Sequence, residues 1–282
     1  MSIKPRRSVL YMPGSNARAL EKAKTLAADA FIFDLEDAVA PEAKQTARQQ
    51  VCDAVANGGY GKRELVIRIN ALDSAWGQDD LEAALKAKPD AILIPKVSTP
   101  ADLTPLEKIG IPVWAMMETP LAMLNARDIA IAPGLEAFVM GTNDLAKETG
   151  ASLARDRHAM VPWLMTCVAA ARAAGISIID GVYNDFKNED GLRAESLQGA
   201  DFGMDGKTII HPGQIAPCNE IFAPSAEEIE AARTIIEAFA QPENQGKGAI
   251  NLNGRMVELL HCEMAQKTIA INDAIKEKQA DQ

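Results

Sequence analysis

Two acids mark the centre of this chain. Glu118 follows a short apolar run at residues 111–117. Asp144 comes just after a second run, 137–140, across Gly141-Thr142-Asn143. If the two runs are neighbouring parallel strands, their carboxylates stand about one strand spacing apart, roughly 4.8 Å. That suits a hard divalent cation, which takes oxygen ligands and keeps waters for a substrate to displace. Two ordinary loop acids are the alternative. Asp34-Leu35-Glu36-Asp37 places three more acids in four residues, with Asp34 and Glu36 on one side. They suit a metal or its waters, while Asp37 also fits as a helix cap. Lys96, after Pro95, has three possible uses: polarising a carbonyl, forming a Schiff base, or pairing with Glu36.

These residues need a frame that brings them together. Strand-like runs fall at 8–11, 30–35, 64–70, 91–97, 111–117, 137–140, 177–183 and 201–204, with helical patterns between them. Alternating βα units predict a parallel sheet, and eight of them at this length predict a closed (β/α)8 TIM barrel. A doubly wound open sheet is the runner-up, but Met12-Pro13-Gly14-Ser15-Asn16 is not its GxGxxG phosphate loop. The polar residues gather toward strand C-termini, where barrel enzymes keep their chemistry. Asp34, Glu36, Arg68, Asn70, Lys96, Glu118, Asp144, Asp180, Tyr183 and Asp205 all belong to that expected mouth. By strand parity Val66, Arg68 and Asn70 face inward, and an inward arginine needs a partner or a ligand.

A second region begins after His211-Pro212. Ser225 and Glu228 have capping-box spacing and open a helix to about residue 240. A polar linker follows at 241–247. Asn253-Gly254 then suits the turn of a hairpin, and a last helix is expected from about Glu258. The expected division is a barrel over 1–222 and a lid-like appendage over 223–282.

Composition narrows the function. The 282 residues are 48% hydrophobic, enough for a large core, and carry a formal charge of −10. That charge argues against nucleic acid or an anionic membrane as the main partner. The four cysteines are scattered, which predicts no zinc site and no disulfide framework. A soluble protein of the reducing cytoplasm is the expectation, because the basic start runs into a strand and not into a signal-peptide core. Within the first 24 residues Lys4, Arg6, Arg7, Arg18, Lys22 and Lys24 face one acid, Glu21. This excess fits either a phosphorylated ligand at the first helix or a solvated basic face. His158, His211 and His261 share no spacing that would support a nucleophile–histidine triad.

The motifs also carry a resemblance. Residues 7–14 (RSVLYMPG), 34–39 (DLEDAV), 68–70 (RIN), 95–96 (PK), 117–120 (METP), 141–145 (GTNDL) and 206–212 (GKTIIHP) resemble the citrate lyase beta-subunit-like family of CoA-ester lyases. This family includes malyl-CoA and citramalyl-CoA lyases. The resemblance implies a barrel with a C-terminal lid, built into homotrimers or hexamers whose sites are completed across subunits, with Mg²⁺ as cofactor. It makes Glu118 and Asp144 the metal ligands and Arg68 the holder of a keto-acid oxygen or carboxylate. Gly141, Thr142 and Asn143 become substrate-binding residues, and Glu36, Asp37 and Lys96 part of the catalytic network with Asp34. Arg7, Arg18 and Lys22 become CoA-binding residues.

The implied chemistry is reversible Claisen-type cleavage of a short 3-hydroxyacyl-CoA into acetyl- or propionyl-CoA and a 2-keto acid. The family's lid supplies an aspartate in a Met-Ile-Asp run. Here the run is Met256-Val257-Glu258, and Asn253 stands where an aspartate is common. One added methylene moves the carboxylate by around 1 Å, a displacement that can cost ~10²-fold in rate. Thioester hydrolysis, a citryl-carrier-protein lyase subunit and a non-catalytic CoA-binding barrel are the alternatives to the lyase.

Overall fold

The computed structural model describes residues 3–154 and 156–280. Its strands are β1 (Ser8–Pro13), β2 (Ala30–Asp34), β3 (Glu64–Arg68), β4 (Ala91–Ile94), β5 (Val113–Met117), β6 (Leu135–Met140), β7 (Ser177–Asp180) and β8 (Gly206–Ile209). All pair in parallel, and β1 closes on β8 to complete an eight-stranded barrel. Helices lie between the strands, so the expected TIM barrel is the observed architecture. Alternation divides the apolar residues into two cores. Val9, Ile32, Val66, Leu93, Trp114, Val139 and Ile179 fill the interior, while Leu10, Phe31, Phe33, Ile67, Ile92 and Phe138 pack under the helices.

The eighth strand differs from the expectation. Residues 201–204 are the end of the helix Glu189–Asp201 and its turn, and β8 begins at Gly206. Asp205 therefore precedes its strand and lies at the barrel's N-terminal end, where it accepts hydrogen bonds from the Ile178 amide and Arg172. Asp180 also leaves the expected mouth. It is the last residue of β7 but has the outward parity, next to the inward Ile179.

The N-terminal end of the barrel is closed by paired charges. Arg6 donates to Glu64, Glu136 and Ser177, and its guanidinium lies 4.7 Å from the centre of the Trp114 ring. Arg7 grips Asp29 with two hydrogen bonds of 2.8 and 3.0 Å and is only 4% exposed. The expected CoA role for Arg7 is therefore corrected: it precedes β1, at the end opposite the mouth, and its charge is already used.

Contacts divide the chain into two compact units, Arg6–Phe222 and a second one made of residue 223 onward with residues 3–5. In the second unit Ser225 caps the helix Ala226–Ala240 through the reciprocal bonds with Glu228. β9 (Ala249–Leu252) and β10 (Arg255–Glu258) pair antiparallel. Asn253 and Gly254, at φ 51° and 81°, make the tight turn between them. The helix Leu259–Gln279 follows directly. Among the described residues no helix is long and apolar enough to cross a membrane.

Candidate active site

Asp34 and Arg68 are the last residues of β2 and β3 and are register partners. Both face inward, so a carboxylate and a guanidinium meet at the top of the barrel interior. The pair is bidentate, with both contacts at 2.7 Å. Asp34 also accepts the amides of Glu36 and Ala38, which folds the Leu35–Ala38 loop back over the strand end. That loop brings Glu36 to 2.8 Å from Arg68 Nη1 and Asp37 to 3.5 Å. Arg68 lies 5.0 Å from the centre of the Tyr11 ring, and the Tyr11 hydroxyl donates to Met116 Sδ at 3.4 Å.

Burial works against the Arg68 charge, but Tyr11, Asp34 and Glu36 outweigh it and hold its pKa well above the usual value. Burial wins at Glu36: with Arg68 only partly offsetting it and Asp37 adding to it, the Glu36 carboxyl is pushed up to about 7. A carboxyl of this kind can carry or give up a proton near neutrality.

Beneath the loop, Lys44 donates to the Leu35 and Glu36 carbonyls and to Asn70, at 2.7–2.8 Å. Asn70 in turn donates to Asp80, which Arg48 also holds. Sequence reasoning missed Lys44 and Asp80 and read Asn70 as inward. Instead Asn70 bridges the loop to the helix Gly77–Ala87. No signal in the sequence marks Lys44 or Asp80, because the burial of this lysine and aspartate shows only in the fold.

The second half of the site is the pair of acids from the fifth and sixth βα units. Glu118 directly follows β5 and is 1% exposed, and Asp144 is in the first turn of the helix Thr142–Thr149. Gly141 makes room for Glu118: a Cβ there would lie 2.4 Å from Glu118 Cβ and 2.5 Å from Glu118 Oε2. Glu118 Oε1 accepts the Lys96 amide at 2.8 Å. Lys96 Nζ stands 3.4 Å from Glu118 and 2.9 Å from Asp144, so the two carboxylates share one ammonium. Burial raises the Glu118 pKa, with Lys96 opposing it. Of the three readings of Lys96, the observed contacts are ionic, but the partners are Glu118 and Asp144 in place of the expected Glu36.

A divalent cation fits these residues. Every donor is a carboxylate oxygen, and the acids already need a positive charge between them. Among the described residues no group of three or more His, Cys, Asp or Glu could hold a metal. Two protein ligands leave the other positions to water and substrate, which suits the octahedral habit of Mg²⁺.

The other expected site residues scatter more. Thr142 is buried against the end of β7, where a Cβ at Gly181 would come within 2.6 Å of its hydroxyl. Asn143 exchanges amide hydrogen bonds with Asn184 on the rim. Arg18 is exposed in the first turn of the helix Ala17–Ala23, and Lys22 is exposed in its last turn, farther from the mouth. Glu258 is exposed at the junction of β10 and the last helix. Its amide donates to His261 Nδ1 at 3.0 Å, so the imidazole caps the start of the helix. His211 likewise acts as a cap, accepting the Gly213 amide, and stacks on Phe186.

The chain is similar in sequence and fold to known proteins. The HpcH/HpaI aldolase/citrate lyase family pattern matches residues 7–212. The chain is 53% identical over 273 residues to a (3S)-malyl-CoA thioesterase of Cereibacter sphaeroides, covering 96% of each chain. It is 33% identical to a mitochondrial citramalyl-CoA lyase of Rattus norvegicus, covering 97% of this chain and 88% of the relative. Among solved structures it is similar to CitE from Mycobacterium tuberculosis in complex with magnesium, acetoacetate and coenzyme A. There the TM-score is 0.79 at 29% identity, covering 94% of this chain and 97% of that one.

Proposed function

Because the chain belongs to the HpcH/HpaI aldolase/citrate lyase family, we propose that it is a Mg²⁺-dependent enzyme acting on a malyl-CoA-type ester, by hydrolysis of the thioester. The observation that carries the choice of hydrolysis is the 53% identity, across nearly the full length, to a malyl-CoA thioesterase. Replacement of the family's lid aspartate by Glu258 fits the same choice, since that aspartate serves carbon–carbon chemistry.

Glu118 and Asp144 hold the metal in this reading. Bound there, Mg²⁺ supplies positive charge for a substrate oxyanion. Arg68, fixed by Asp34 and with its Nη1 shared by Glu36 and Asp37, offers positive charge to the substrate carboxylate or hydroxyl. Glu36 takes a proton from water at a pH near neutrality, and Asp37 raises its affinity for that proton. Water oxygen bonds to the thioester carbon, the C–S bond breaks, and the thiolate leaves with the proton. Arg18 and Lys22 offer cations to the CoA phosphates, with Thr142 and Asn143 lining the mouth.

A second reading is Claisen-type cleavage, favoured by the similarity to citramalyl-CoA lyase. It uses the same groups: a base removes the substrate hydroxyl proton, the adjacent C–C bond breaks, and an acid protonates the carbon next to the thioester. Glu258 of a neighbouring copy is the candidate acid, in a homotrimer or hexamer. Exposed Met256, Leu259, Leu260 and Met264 around it support a surface that docks on a second copy. The free cysteines suit a reducing cytoplasm.

The test is incubation with malyl-CoA and Mg²⁺ and product analysis by mass spectrometry. Free CoA with malate supports hydrolysis. Acetyl-CoA with glyoxylate supports the lyase, and turnover of no short 3-hydroxyacyl-CoA overturns both.

A further inference from the structure

Lys96 is placed in an unusual way. It is not glycine, yet its backbone adopts the left-handed region at φ 55°, a conformation that costs energy and persists only where the surroundings enforce it. Two groups gain from it. The amide donates to Glu118 Oε1 at 2.8 Å, and the ammonium lies between Glu118 and Asp144 at 3.4 and 2.9 Å. Glu118 is therefore held by the Lys96 backbone independently of the Lys96 side chain. Gly141, lacking a Cβ, leaves the space that the Glu118 side chain occupies. The side chain itself is 35% exposed, so its charge has a path to solvent that Glu118, at 1%, lacks.

Resting on the reading that Glu118 and Asp144 are the magnesium ligands, we propose that the Lys96 ammonium is a built-in competitor for the metal place, displaced each time the cation binds. Two like charges cannot share a gap of this size, since their repulsion at a few ångströms in a partly buried site is large. The backbone amide keeps Glu118 aimed while the side chain leaves. Lys96 thus keeps the acids compensated before loading and lowers the net affinity for the metal. Once displaced, its charge is available at the mouth.

The experiment uses the full-length protein and Mg²⁺ alone. Isothermal titration calorimetry is run on the wild type, Lys96→Met and Lys96→Arg. Lys96→Met is expected to bind Mg²⁺ on the order of ten- to a hundredfold more tightly, and Lys96→Arg, which keeps the charge, to stay at or below wild-type affinity. In the wild type, reductive methylation of Lys96 by formaldehyde with cyanoborohydride, mapped by mass spectrometry, is expected to rise several-fold when Mg²⁺ is added. Equal or weaker Mg²⁺ binding by a folded Lys96→Met variant overturns the proposal, because it makes Lys96 a fixed support for the ligands. Labelling that Mg²⁺ does not change, or lowers, overturns it as well. Should Lys96→Met fail to fold, the labelling and Lys96→Arg decide alone. Absence of Mg²⁺ binding to the wild type is a different result: it overturns the metal reading itself and this proposal with it.

Discussion

Two clusters of charge sit at the ends of barrel strands and do opposite things. Under the helix Glu189–Asp201, Asp180 receives Arg157 at 2.6 and 2.9 Å and Lys207 at 2.9 Å, and Lys207 also reaches Glu195 at 2.7 Å. Two cations meet two acids, and Asp180, Lys207 and Arg157 are at most 1% exposed. At the mouth Asp34, Glu36, Asp37, Glu118 and Asp144 share Arg68 and Lys96, with acids in surplus and several groups open to solvent. A balanced, sealed cluster has nothing left to offer a ligand. A surplus of acid at an open rim does. The difference between them comes from one step of strand parity: Asp34 faces in and Asp180 faces out.

The contrast is broken most severely at the sealed cluster. Asp180→Asn leaves Arg157 and Lys207 buried and undercompensated, so it is expected to cost about 3–5 kcal/mol of stability, read by urea unfolding. At the mouth, Glu118→Gln is expected to unfold at nearly the wild-type urea concentration, yet lose Mg²⁺ binding and roughly 10²–10³-fold in kcat. Unchanged Mg²⁺ affinity in that variant would remove Glu118 from the ligand set.

The two regions also differ in the sign of their pH dependence. Burial pushes the Asp180 pKa up, but Lys207 and Arg157 outweigh it and hold it below its ordinary 3.8. Its contribution is thus present above that value and lost as pH falls through the lowered pKa. Glu36 is raised from 4.5 to about 7. Its protonated form is favoured in the folded state, so stability falls as pH rises from 4.5 to 7. The gap between wild type and Glu36→Gln is expected to change by on the order of 2 kcal/mol across that window, with the variant flatter. A gap that does not move with pH would put the Glu36 proton elsewhere. The smallest effect belongs to Arg18→Ala, expected to raise KM for a CoA ester about three- to tenfold at unchanged kcat. An unchanged KM removes Arg18 from the CoA contacts.

The barrel was legible because its strands are buried on both faces and read as short apolar runs between helices. β8 was the exception. Gly206-Lys207-Thr208-Ile209 has one strongly apolar residue, and its lysine is buried only because Asp180 and Glu195 wait for it far away in sequence. Misplacing that strand carried Asp205 to the wrong end. Arg7 shows a subtler failure: a residue just before a parallel strand belongs to the barrel floor, so its position already spoke against a role at the mouth. Arg68, Glu118 and Asp144 could be found because charges at strand C-termini share one rim. Lys44, Asp80 and Arg157 could not, since their partners are set by the tertiary register.

Position 141 offers a separate handle on the Glu118 carboxylate. The space beside Glu118 is smaller than one methyl group. Alanine there would act as an uncharged wedge, tilting the carboxylate without altering the electrostatic balance of the rim. Geometry and charge, which every acid-to-amide substitution disturbs together, can be pulled apart at that single carbon.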